Sequence, residues 1–374
     1  MFRRSLSAVA ALSTALLATA AGATTYNFTS IPLAGYAVTA VAGINASGQA
    51  LIGYGNPSPV GVFVYSYPSG TKTFVNAPLI PNGGNTATLS AGGINNAGTI
   101  VGTDIQTQNG SGLDFDFDGY IDTGGSFTFL SAPGAVASQL VGINNSGEVW
   151  GLYNTAGGNG VQTYFTYDNG AYTVIGHAGY SNVSVVGLDD AGDVIGDATV
   201  GGVRVGFIDS GGVYSTIDAF GAAATTAQGV SPSGLIVGNY FSAGHLLGFE
   251  DNHGVITSLT STGIAELAGI NDGGTAVGKL NQAGFSESNG VFSSVVVPGF
   301  SFDPNNDSGP LVITKSGLIG GSYYSGNGFN FNYTAYIAAP QGAVPEPGAW
   351  AMMLIGLAGL GAIIRSRRRA WARA

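Results

Sequence analysis

Cysteine is absent from the 374 residues, which excludes disulfide bonds, thiolate metal ligands and a thiol nucleophile. Charged residues are also scarce, at 9% of the chain, and there are only three histidines. Between residues 24 and 343, four basic and twenty acidic residues give a formal charge of −16. A domain of this charge repels phosphate backbones, so nucleic acid is not expected as a partner.

Glycine and apolar residues are abundant instead. The chain has 63 glycines, yet 45% of its residues are hydrophobic and 10% are aromatic. A disordered low-complexity chain would lack that apolar fraction. Many glycines beside many β-branched and aromatic residues indicate an all-β fold with many tight turns.

One stretch, GGINNAGTIVG at residues 92–102, recurs along the chain in modified form. The spacing of the copies, between 40 and 50 residues, is the size of a four-stranded propeller blade. Asn or Asp can bond its own backbone two residues on, and Gly supplies a positive φ, so each copy predicts a hairpin. The aliphatic residues that mark the seven copies are Ile44, Ile94, Ile143, Leu188, Val230, Ile270 and Ile313.

A second hairpin is predicted in each repeat, because an aromatic residue stands five positions before a turn glycine, as in Phe207 and Gly212. The last repeat ends at a third strand around Tyr336, and the missing fourth strand matches YNFTSIPLAG at the N-terminus. Such a strand would close a ring of sheets and hide its edges. The sequence therefore predicts a seven-bladed β-propeller of four-stranded blades closed by an N-terminal strand, with an open solenoid as the alternative.

The N-terminus has the order of parts of a cleavable signal peptide. Arg3 and Arg4 precede a short apolar stretch, and Ala21-Gly22-Ala23 offers a small-residue cleavage site. The expected organisation is a signal peptide at 1–23, a repeat domain at 24–343 and a C-terminal segment at 344–374.

The C-terminal segment contains an uncharged run, Gly348 to Ile364, followed by arginines. As a helix this run would span roughly 25 Å, just enough to cross a bilayer. The arginines would stay on the cytoplasmic side, so the repeat domain would lie outside.

Pro345-Glu346-Pro347, the apolar run and the terminal arginines together resemble the PEP-CTERM sorting signal of Gram-negative bacteria. The resemblance implies an exosortase as partner, a transpeptidase-like membrane protease that cuts near Pro-Glu-Pro. It also implies an organism that makes exopolysaccharide or biofilm matrix. The expected location is first the inner membrane, transiently, and then the cell surface or the extracellular space.

The repeats resemble the extracellular HAF repeats, named for a His-Ala-Phe motif. The hairpin half fits across residues 41–340, but the motif itself has no literal copy, and Val205-Gly206-Phe207 is among the nearest matches. That family is defined by its repeats, so the resemblance supports fold and location without an activity.

Asp114, Asp116, Asp118 and Asp122 form the sharpest local pattern. It resembles the D-x-D-x-D-G-x-x-D calcium loop of other propellers, in which alternate carboxylates converge on a hard cation. An EF-hand is excluded, since Gly125 stands where that loop needs Glu. The alternative is a strand with Phe115 and Phe117 inward and the carboxylates in water. Calcium is the one cofactor that the sequence indicates.

Two other groups are interpreted structurally. Asp189, Asp190, Asp193 and Asp197 are expected on a solvated hairpin, and no metal-ligand spacing joins the histidines to acids. His177, His245 and His253 are therefore expected in surface loops.

Two functions remain open from the sequence. The first is a non-catalytic surface or matrix protein that binds glycan or protein through one propeller face. The second is a polysaccharide-active hydrolase or lyase with a carboxylate pair at the central channel. Regular repeats and the absence of a catalytic motif favour the first.

The calcium hypothesis predicts a melting difference. Four carboxylates this close repel one another without a cation, so calcium should raise the melting temperature by mass action on the folded state. Melts of the protein with calcium and with chelator, followed by circular dichroism, test this. Coincident curves would leave the solvated strand as the correct interpretation.

Overall fold

Each repeat folds into an antiparallel four-stranded sheet whose strands follow one another in chain order. The computed structural model describes residues 23–55, 60–78, 87–107, 115–156, 162–259, 265–281, 283–299, 309–324 and 332–341. Within these ranges every regular element is a strand and none is a helix, so the all-β prediction is confirmed.

The strands are grouped here by their position within the repeat. The first strands are β2 (Val38–Ile44), β6 (Ala87–Ile94), β10 (Ala135–Ile143), β14 (Tyr180–Leu188), β18 (Ala224–Val230), β22 (Ala265–Ile270) and β26 (Gly309–Ile313). The second strands are β3 (Gln49–Gly55), β7 (Ile100–Thr107), β11 (Val149–Thr155), β15 (Val194–Val200), β19 (Leu235–Ser242), β23 (Ala276–Leu280) and β27 (Ile319–Tyr324). The third strands are β4 (Gly61–Ser66), β8 (Phe115–Thr123), β12 (Thr163–Asp168), β16 (Val203–Ser210), β20 (His245–Asn252), β24 (Ala283–Ser288) and β28 (Tyr333–Pro340). The fourth strands are β5 (Thr71–Val75), β9 (Ser126–Leu130), β13 (Ala171–Val174), β17 (Val213–Ile217), β21 (Val255–Ser258), β25 (Val291–Ser294) and, for the last repeat, β1 (Tyr26–Ile31).

The hairpins form where the sequence places them. In the second hairpin of the fifth repeat, for example, His253 and Gly254 both have positive φ, 51° and 90°. Two such residues in a row make the tight turn that matches the twist of paired strands. The predicted paired hairpins are thus confirmed, and they fix the four-stranded sheets.

The N-terminal strand completes the last repeat, as predicted. β1 pairs with β28 in an antiparallel register from Tyr26 opposite Pro340 to Ile31 opposite Ala335. A single parallel bridge between Val38 and Tyr333 then joins this sheet to the first repeat, so the two form one eight-stranded sheet.

The hydrophobic core is divided into layers between neighbouring sheets. One layer joins Ile195 and Ile217 of the fourth repeat to Ile236 and Phe249 of the fifth, all buried. The next joins Val237 to Leu267 and Phe285 of the sixth repeat. Each sheet is therefore stabilised chiefly by its two neighbours, as in a propeller.

The last glycine of the recurring stretch has a packing role. A Cβ on Gly238 would lie 2.6 Å from the ring of Phe249 on the neighbouring strand and would collide with the Thr226 carbonyl oxygen. Gly196 has the same relation to Phe207 and Ser184. A glycine at this position therefore lets the buried aromatic residue of the third strand lie flat against the second strand.

Thr39 connects the first repeat to the last. Its buried hydroxyl donates to the Ile31 carbonyl oxygen of β1 at 3.1 Å and accepts from the Ala335 amide of β28 at 2.9 Å. One side chain thus holds the N-terminal strand and the last repeat against β2.

We predict that deleting residues 25–34 strongly lowers the melting temperature, because it removes β1 and exposes the edge of β28.

Thr39→Val, which keeps the shape but removes both hydrogen bonds, should lower the free energy of unfolding by about 2 kcal/mol. Thr128→Val on the exposed face of β9 is the control, and urea titration gives the comparison. Equal stability of Thr39→Val and Thr128→Val would mean that this contact is not important for closure.

Candidate functional site

The first strands of the repeats surround a cavity of about 490 Å³, which is the central channel. Its wall is formed in each repeat by the residues just before the hairpin turn. In every repeat the pairing of first and second strands shifts by one residue there, which is a β-bulge. The bulged residues, all of which line the cavity, are Ala42, Gly92, Val141, Val186, Gln228, Ala268 and Leu311.

Glycine after the bulge lets neighbouring first strands approach closely. A Cβ on Gly93 would lie 3.3 Å from the Cα of Gly142 in the next repeat. A Cβ on Gly229 would lie 2.8 Å from the Ala268 carbonyl oxygen. The channel is therefore narrow and lined mainly by backbone and small or aliphatic side chains.

Four buried asparagines, Asn45, Asn95, Asn144 and Asn271, join consecutive repeats. The Oδ1 atom of each accepts a hydrogen bond from an amide of its own turn, for example that of Glu148 at 2.9 Å from Asn144. The Nδ2 atom of each donates to the carbonyl oxygen at the same position of the next repeat. We call this second bond the asparagine link; its donor–acceptor pairs are Asn45–Asn95 at 3.1 Å, Asn95–Asn144 at 3.3 Å, Asn144–Asp189 at 2.8 Å and Asn271–Thr314 at 2.9 Å.

The following residue of each repeat forms the mouth of the channel. We call these residues the channel ring: Ala46, Asn96, Asn145, Asp190, Pro232, Asp272 and Lys315. Asn96 Oδ1 accepts from the Ala46 amide at 2.8 Å, and Asn145 Oδ1 accepts from the Asn96 amide at 3.0 Å. Asp190 Oδ1 accepts from the Asn145 amide at 2.8 Å. The side chains of the ring thus hold neighbouring turns together.

Two carboxylates, Asp190 and Asp272, lie in the lining of the channel, as a polysaccharide-active enzyme would require. Both are used in contacts between repeats. Asp190 Oδ2 also accepts from Asn145 Nδ2 at 3.0 Å, and Asp272 Oδ1 accepts from the Ser233 amide at 2.9 Å. Among the described lining residues, Trp150 is the one aromatic, and it is buried, so no exposed ring is available there for a sugar to stack on.

The expectation of a solvated hairpin in the fourth repeat is wrong for two of its four acids. Asp189 and Asp197 are buried, because the fifth repeat packs over them, whereas Asp190 and Asp193 are partly exposed. Asp189 takes the position of the linking asparagines and accepts from the amides of Ala191 and Asp193, both at 2.9 Å.

Asp197 connects the fourth and fifth repeats. Its Oδ1 accepts from the Ala227 amide at 2.8 Å, and its Oδ2 lies 3.3 Å from the Arg204 guanidinium. Burial raises the pKa of this carboxyl to about 6, although both contacts act to lower it. Asn239 makes the equivalent bond from the fifth to the sixth repeat, to the Leu267 amide at 3.2 Å.

The predicted calcium residues are only partly described. Asp114 lies outside the described residues, as does the side chain of Asp116. Residues 115–123 form strand β8, which differs from the loop that the calcium pattern requires. Asp118 lies within β8, opposite Asp104 of β7. The calcium interpretation remains a prediction, and no group of possible metal ligands occurs in the described part of the chain.

Asp122 has a structural role in this segment. It is buried near the end of β8, and its Oδ1 accepts from the Gly125 amide at 2.6 Å. Asp209 and Asp251 make the same bond to Gly212 and Gly254 in repeats without any calcium pattern. Asp122 is therefore the ordinary turn acid of its repeat.

All three histidines lie at the surface. His253 is exposed in a tight turn, and its Nε2 lies 3.1 Å from the Ser233 carbonyl oxygen. His177 is exposed and packs between the rings of Tyr180 and Tyr214. His245 is exposed at the start of β20. Surface exposure is thus confirmed for all three, and a loop or turn position for His177 and His253, whereas His245 lies in a strand.

A second cavity, of about 340 Å³, lies between the sixth and last repeats beside β1. We call it the groove. Sequence reasoning missed it, because its lining combines the sixth repeat with residues from both ends of the domain, Thr24 and Tyr26 before and in β1 and Pro340 at the end of β28. Lys315 lines both the groove and the channel mouth.

Comparison with protein families identifies the PEP-CTERM protein-sorting motif at residues 343–369. This chain carries an exosortase sorting motif. The motif implies an exported protein that is transiently anchored in a membrane and processed by an exosortase. Residues 1–22 and 342–374, and with them the expected signal peptide, the sorting residues Pro345, Glu346 and Pro347 and the apolar run, lie outside the described residues.

Comparison with curated proteins finds no match to this chain. Within the ranges that the structure describes, no helix is long and apolar enough to cross a membrane.

Solved structures similar to this chain are β-propeller proteins. The β-propeller domain of the Trilobed protease from Pyrococcus furiosus has a TM-score of 0.53 at 8% identity, over 83% of this chain and 100% of that one. An oligogalacturonate lyase in complex with manganese has a TM-score of 0.50 at 12% identity, over 87% and 98%. The Pyrococcus horikoshii acylaminoacyl peptidase has a TM-score of 0.54 at 8% identity, over 84% of this chain but only 54% of that one. At these identities the likeness shows the propeller fold alone.

We predict that Asn144→Asp lowers the free energy of unfolding by about 2 kcal/mol, because it removes an asparagine link and buries a carboxylate beside Asp189. Asp189→Asn should instead stabilise the protein by about 1 kcal/mol, because it supplies an amide donor toward the fifth repeat. Urea titration measures both, with Asn169→Asp in an exposed turn as the control. A loss of stability in Asp189→Asn would contradict this role of the position.

Asp189→Asn should also change how the stability of the protein depends on pH. Burial raises the pKa of the Asp189 carboxyl above its ordinary value, so the folded protein holds this proton more tightly than the unfolded chain does. The cost of burying the charge is absent at low pH and complete above the folded-state pKa. The difference in the free energy of unfolding between Asp189→Asn and the wild type should therefore grow as the pH rises from the ordinary aspartate pKa to above the folded-state pKa. Urea titrations at a series of pH values measure it.

Proposed function

We propose that this chain is an exported, non-catalytic surface or matrix protein that exosortase delivers and that associates with exopolysaccharide. It is a seven-bladed propeller, in which the eight-stranded sheet comprises the first and last blades. One propeller face presents a binding surface for glycan or protein. Residues 1–23 are the signal peptide, and residues 348–364 are the transmembrane helix that holds the chain until processing.

The observation that carries this proposal is the pairing of the two ends of the described chain. The Gln341 amide donates to the Thr25 carbonyl oxygen at 2.8 Å, and Gln341 Nε2 donates to Asn27 Oδ1 at 2.7 Å. The residues that follow a signal peptide and those that precede a sorting motif are therefore neighbours on one strand pair. Cleavage before Thr24 and cleavage near Pro345 would both release the domain without breaking any of its strands.

A non-catalytic role is supported by the use of the polar groups at the channel mouth. Asp190 accepts hydrogen bonds through both carboxylate oxygens, and Asp272 bonds the preceding turn. These carboxylates hold the ring of sheets together, which is sufficient reason for their presence.

The alternative is a polysaccharide hydrolase or lyase with Asp190 and Asp272 as its carboxylate pair, and their shared position in the channel lining favours it. The alternative requires polysaccharide cleavage that Asp190→Asn or Asp272→Asn abolishes in a protein that still folds. The proposed function requires that wild-type protein leaves polysaccharide uncleaved.

We further propose that the repeats are of HAF type, with glycine in place of the central alanine. A Cβ on Gly206 would lie 3.1 Å from Ile217, and one on Gly248 would lie 2.9 Å from Leu267. Close packing against a neighbouring strand or sheet thus explains the departure from the family motif.

The sorting function is tested by replacing Pro345, Glu346 and Pro347 with alanine. The full-length chain should then accumulate in the membrane fraction, whereas wild-type protein should appear as a shortened form at the cell surface or in the medium. Pro78→Ala, which changes an exposed proline of the domain, is the control. Immunoblotting of the fractions gives the readout, and normal processing of the triple variant would show that the motif is not used.

A further inference from the structure

The groove between the sixth and last repeats differs in charge from the rest of the domain. Among the described residues its lining contains no carboxylate, although the domain has twenty acidic and four basic residues. The one cation among the described lining residues is Lys315, and most of the others, such as Thr275 and Ser288, carry hydroxyl or amide groups.

Lys315 is exposed and differs from the other three basic residues of the domain. Lys279 pairs with Glu266 at 2.7 Å, and Arg204 pairs with Asp197. Lys72 donates to the Pro32 carbonyl oxygen at 2.5 Å and lies over the Phe63 ring. Among the described residues, no hydrogen bond or ion pair engages the Lys315 ammonium group, so it is free to bind an anion.

The wall of the groove is held in place by internal hydrogen bonds. Tyr26 Oη lies 2.8 Å from Ser286 Oγ, and the Thr24 amide donates to Ser293 Oγ at 2.7 Å. Asn271 is fixed by its own turn and by its asparagine link to Thr314. The groove is thus formed before any ligand arrives, which lowers the entropy cost of binding.

Some hydroxyl groups of the lining remain available. The turn uses the amide and the carbonyl oxygen of Thr275, which bond Asn271, and leaves its hydroxyl available. The Ser288 hydroxyl accepts a long bond of 3.3 Å from Asn289 and keeps its own proton to donate. Hydroxyls that can both donate and accept suit a ligand that itself carries many hydroxyls.

We propose that the groove binds an acidic oligosaccharide, with a uronate carboxylate on the Lys315 ammonium group and sugar hydroxyls on Thr275 and Ser288. This inference rests on the proposed function, because it names the ligand class that a propeller face presents. The volume of about 340 Å³ is within the range of small-ligand sites, so the groove holds one end of a chain rather than a long polymer.

The lining favours a sugar over an acidic peptide. An acidic peptide would bond the lining through its carboxylates and backbone, whereas a uronate sugar presents several hydroxyl groups beside each carboxylate, and only Tyr26, Val291 and Pro340 among the described lining residues offer much apolar surface. Most other side chains of the lining carry a hydroxyl or an amide. The net negative charge of the domain repels anions in general. An anionic ligand therefore binds favourably here only if its carboxylate lies against the Lys315 ammonium group.

The test uses the full chain in detergent micelles and isothermal titration with tetragalacturonate, with maltotetraose as the uncharged comparison. Wild-type protein should bind tetragalacturonate more tightly, and added NaCl should weaken that binding. Lys315→Met should reduce the affinity for tetragalacturonate at least about tenfold and leave that for maltotetraose unchanged. Lys315→Arg should retain most of the affinity, since it keeps the charge.

Lys72→Met is the matched control, because it removes the same charge from the outer strand β5. Thr275→Val should weaken the binding of both sugars, and thermal melts check that each variant is folded. The proposal is overturned if tetragalacturonate does not bind, or if Lys72→Met and Lys315→Met reduce its binding equally. Tight binding of a tetraglutamate peptide that depends on Lys315 but not on Thr275 would also overturn it.

These outcomes are separable from the sorting test. Lys315→Met leaves the sorting motif intact, so the proposed function requires that this variant reach the cell surface normally. Failure of sugar binding with normal sorting would disprove the groove alone.

Discussion

The asparagine link is the interaction on which four junctions between neighbouring sheets depend, those that follow the first, second, third and sixth repeats. One buried side chain closes its own hairpin through Oδ1 and holds the next repeat through Nδ2, as Asn144 does with Glu148 and Asp189. Aspartate, serine or threonine can supply the first bond, but the carbonyl of the next turn needs a donor that reaches it. The stretch therefore recurs within the chain for assembly, since its bulged residue, its buried asparagine, the residue after it and its last glycine each have a packing or bonding role.

Much of the fold could be predicted from the sequence, because the signals that decide it are local. Turn glycines, alternating strands and the match of Ile31 and Gly35 to the fourth-strand pattern gave the four-stranded repeats and the pairing of β1 with β28. The second bond of Asn95 was missed, because its acceptor, Asn144, is 49 residues away in sequence. The bulges were missed for another reason: residues as different as Gln228 and Leu311 occupy the bulged position.

The candidate sites were harder to predict than the fold. From the sequence, Asp189 lies in a turn and Asp197 on the strand that follows it, and both would be expected to face solvent. They are buried because the neighbouring repeat covers them. The groove could not be predicted, since it needs Ser286 and Asn289 of the sixth repeat against the paired chain ends, and strand pairing alone does not specify that packing. Lys315 stands in the most altered copy of the repeat, where the sequence offers least support for any interpretation.

The acidic composition of the domain is explained in part by its turns. Asp122, Asp209, Asp251 and Glu287 each accept a hydrogen bond from a glycine amide in the same hairpin position, and Asp197 accepts one from the next repeat. An amide donor satisfies a carboxylate without a cation. The domain therefore accumulates negative charge as a by-product of closing its hairpins, and the charge by itself does not indicate a ligand.

The pairing of β1 with β28 sets an order of events in time. Asn27 and Gln341, which bond each other, are 314 residues apart, so the first strand of the domain to be made is the last to find its partner. The entropy cost of closing so long a loop rises only slowly with its length. Even so, β1 has no partner until β28 has been made, and we call this interval the waiting period. During that period two strand edges lie open to other chains. Because the sorting motif begins at residue 343, directly after β28, the partner of the waiting strand and the sorting motif are made in immediate succession. The domain can therefore close only when synthesis has almost reached its sorting motif.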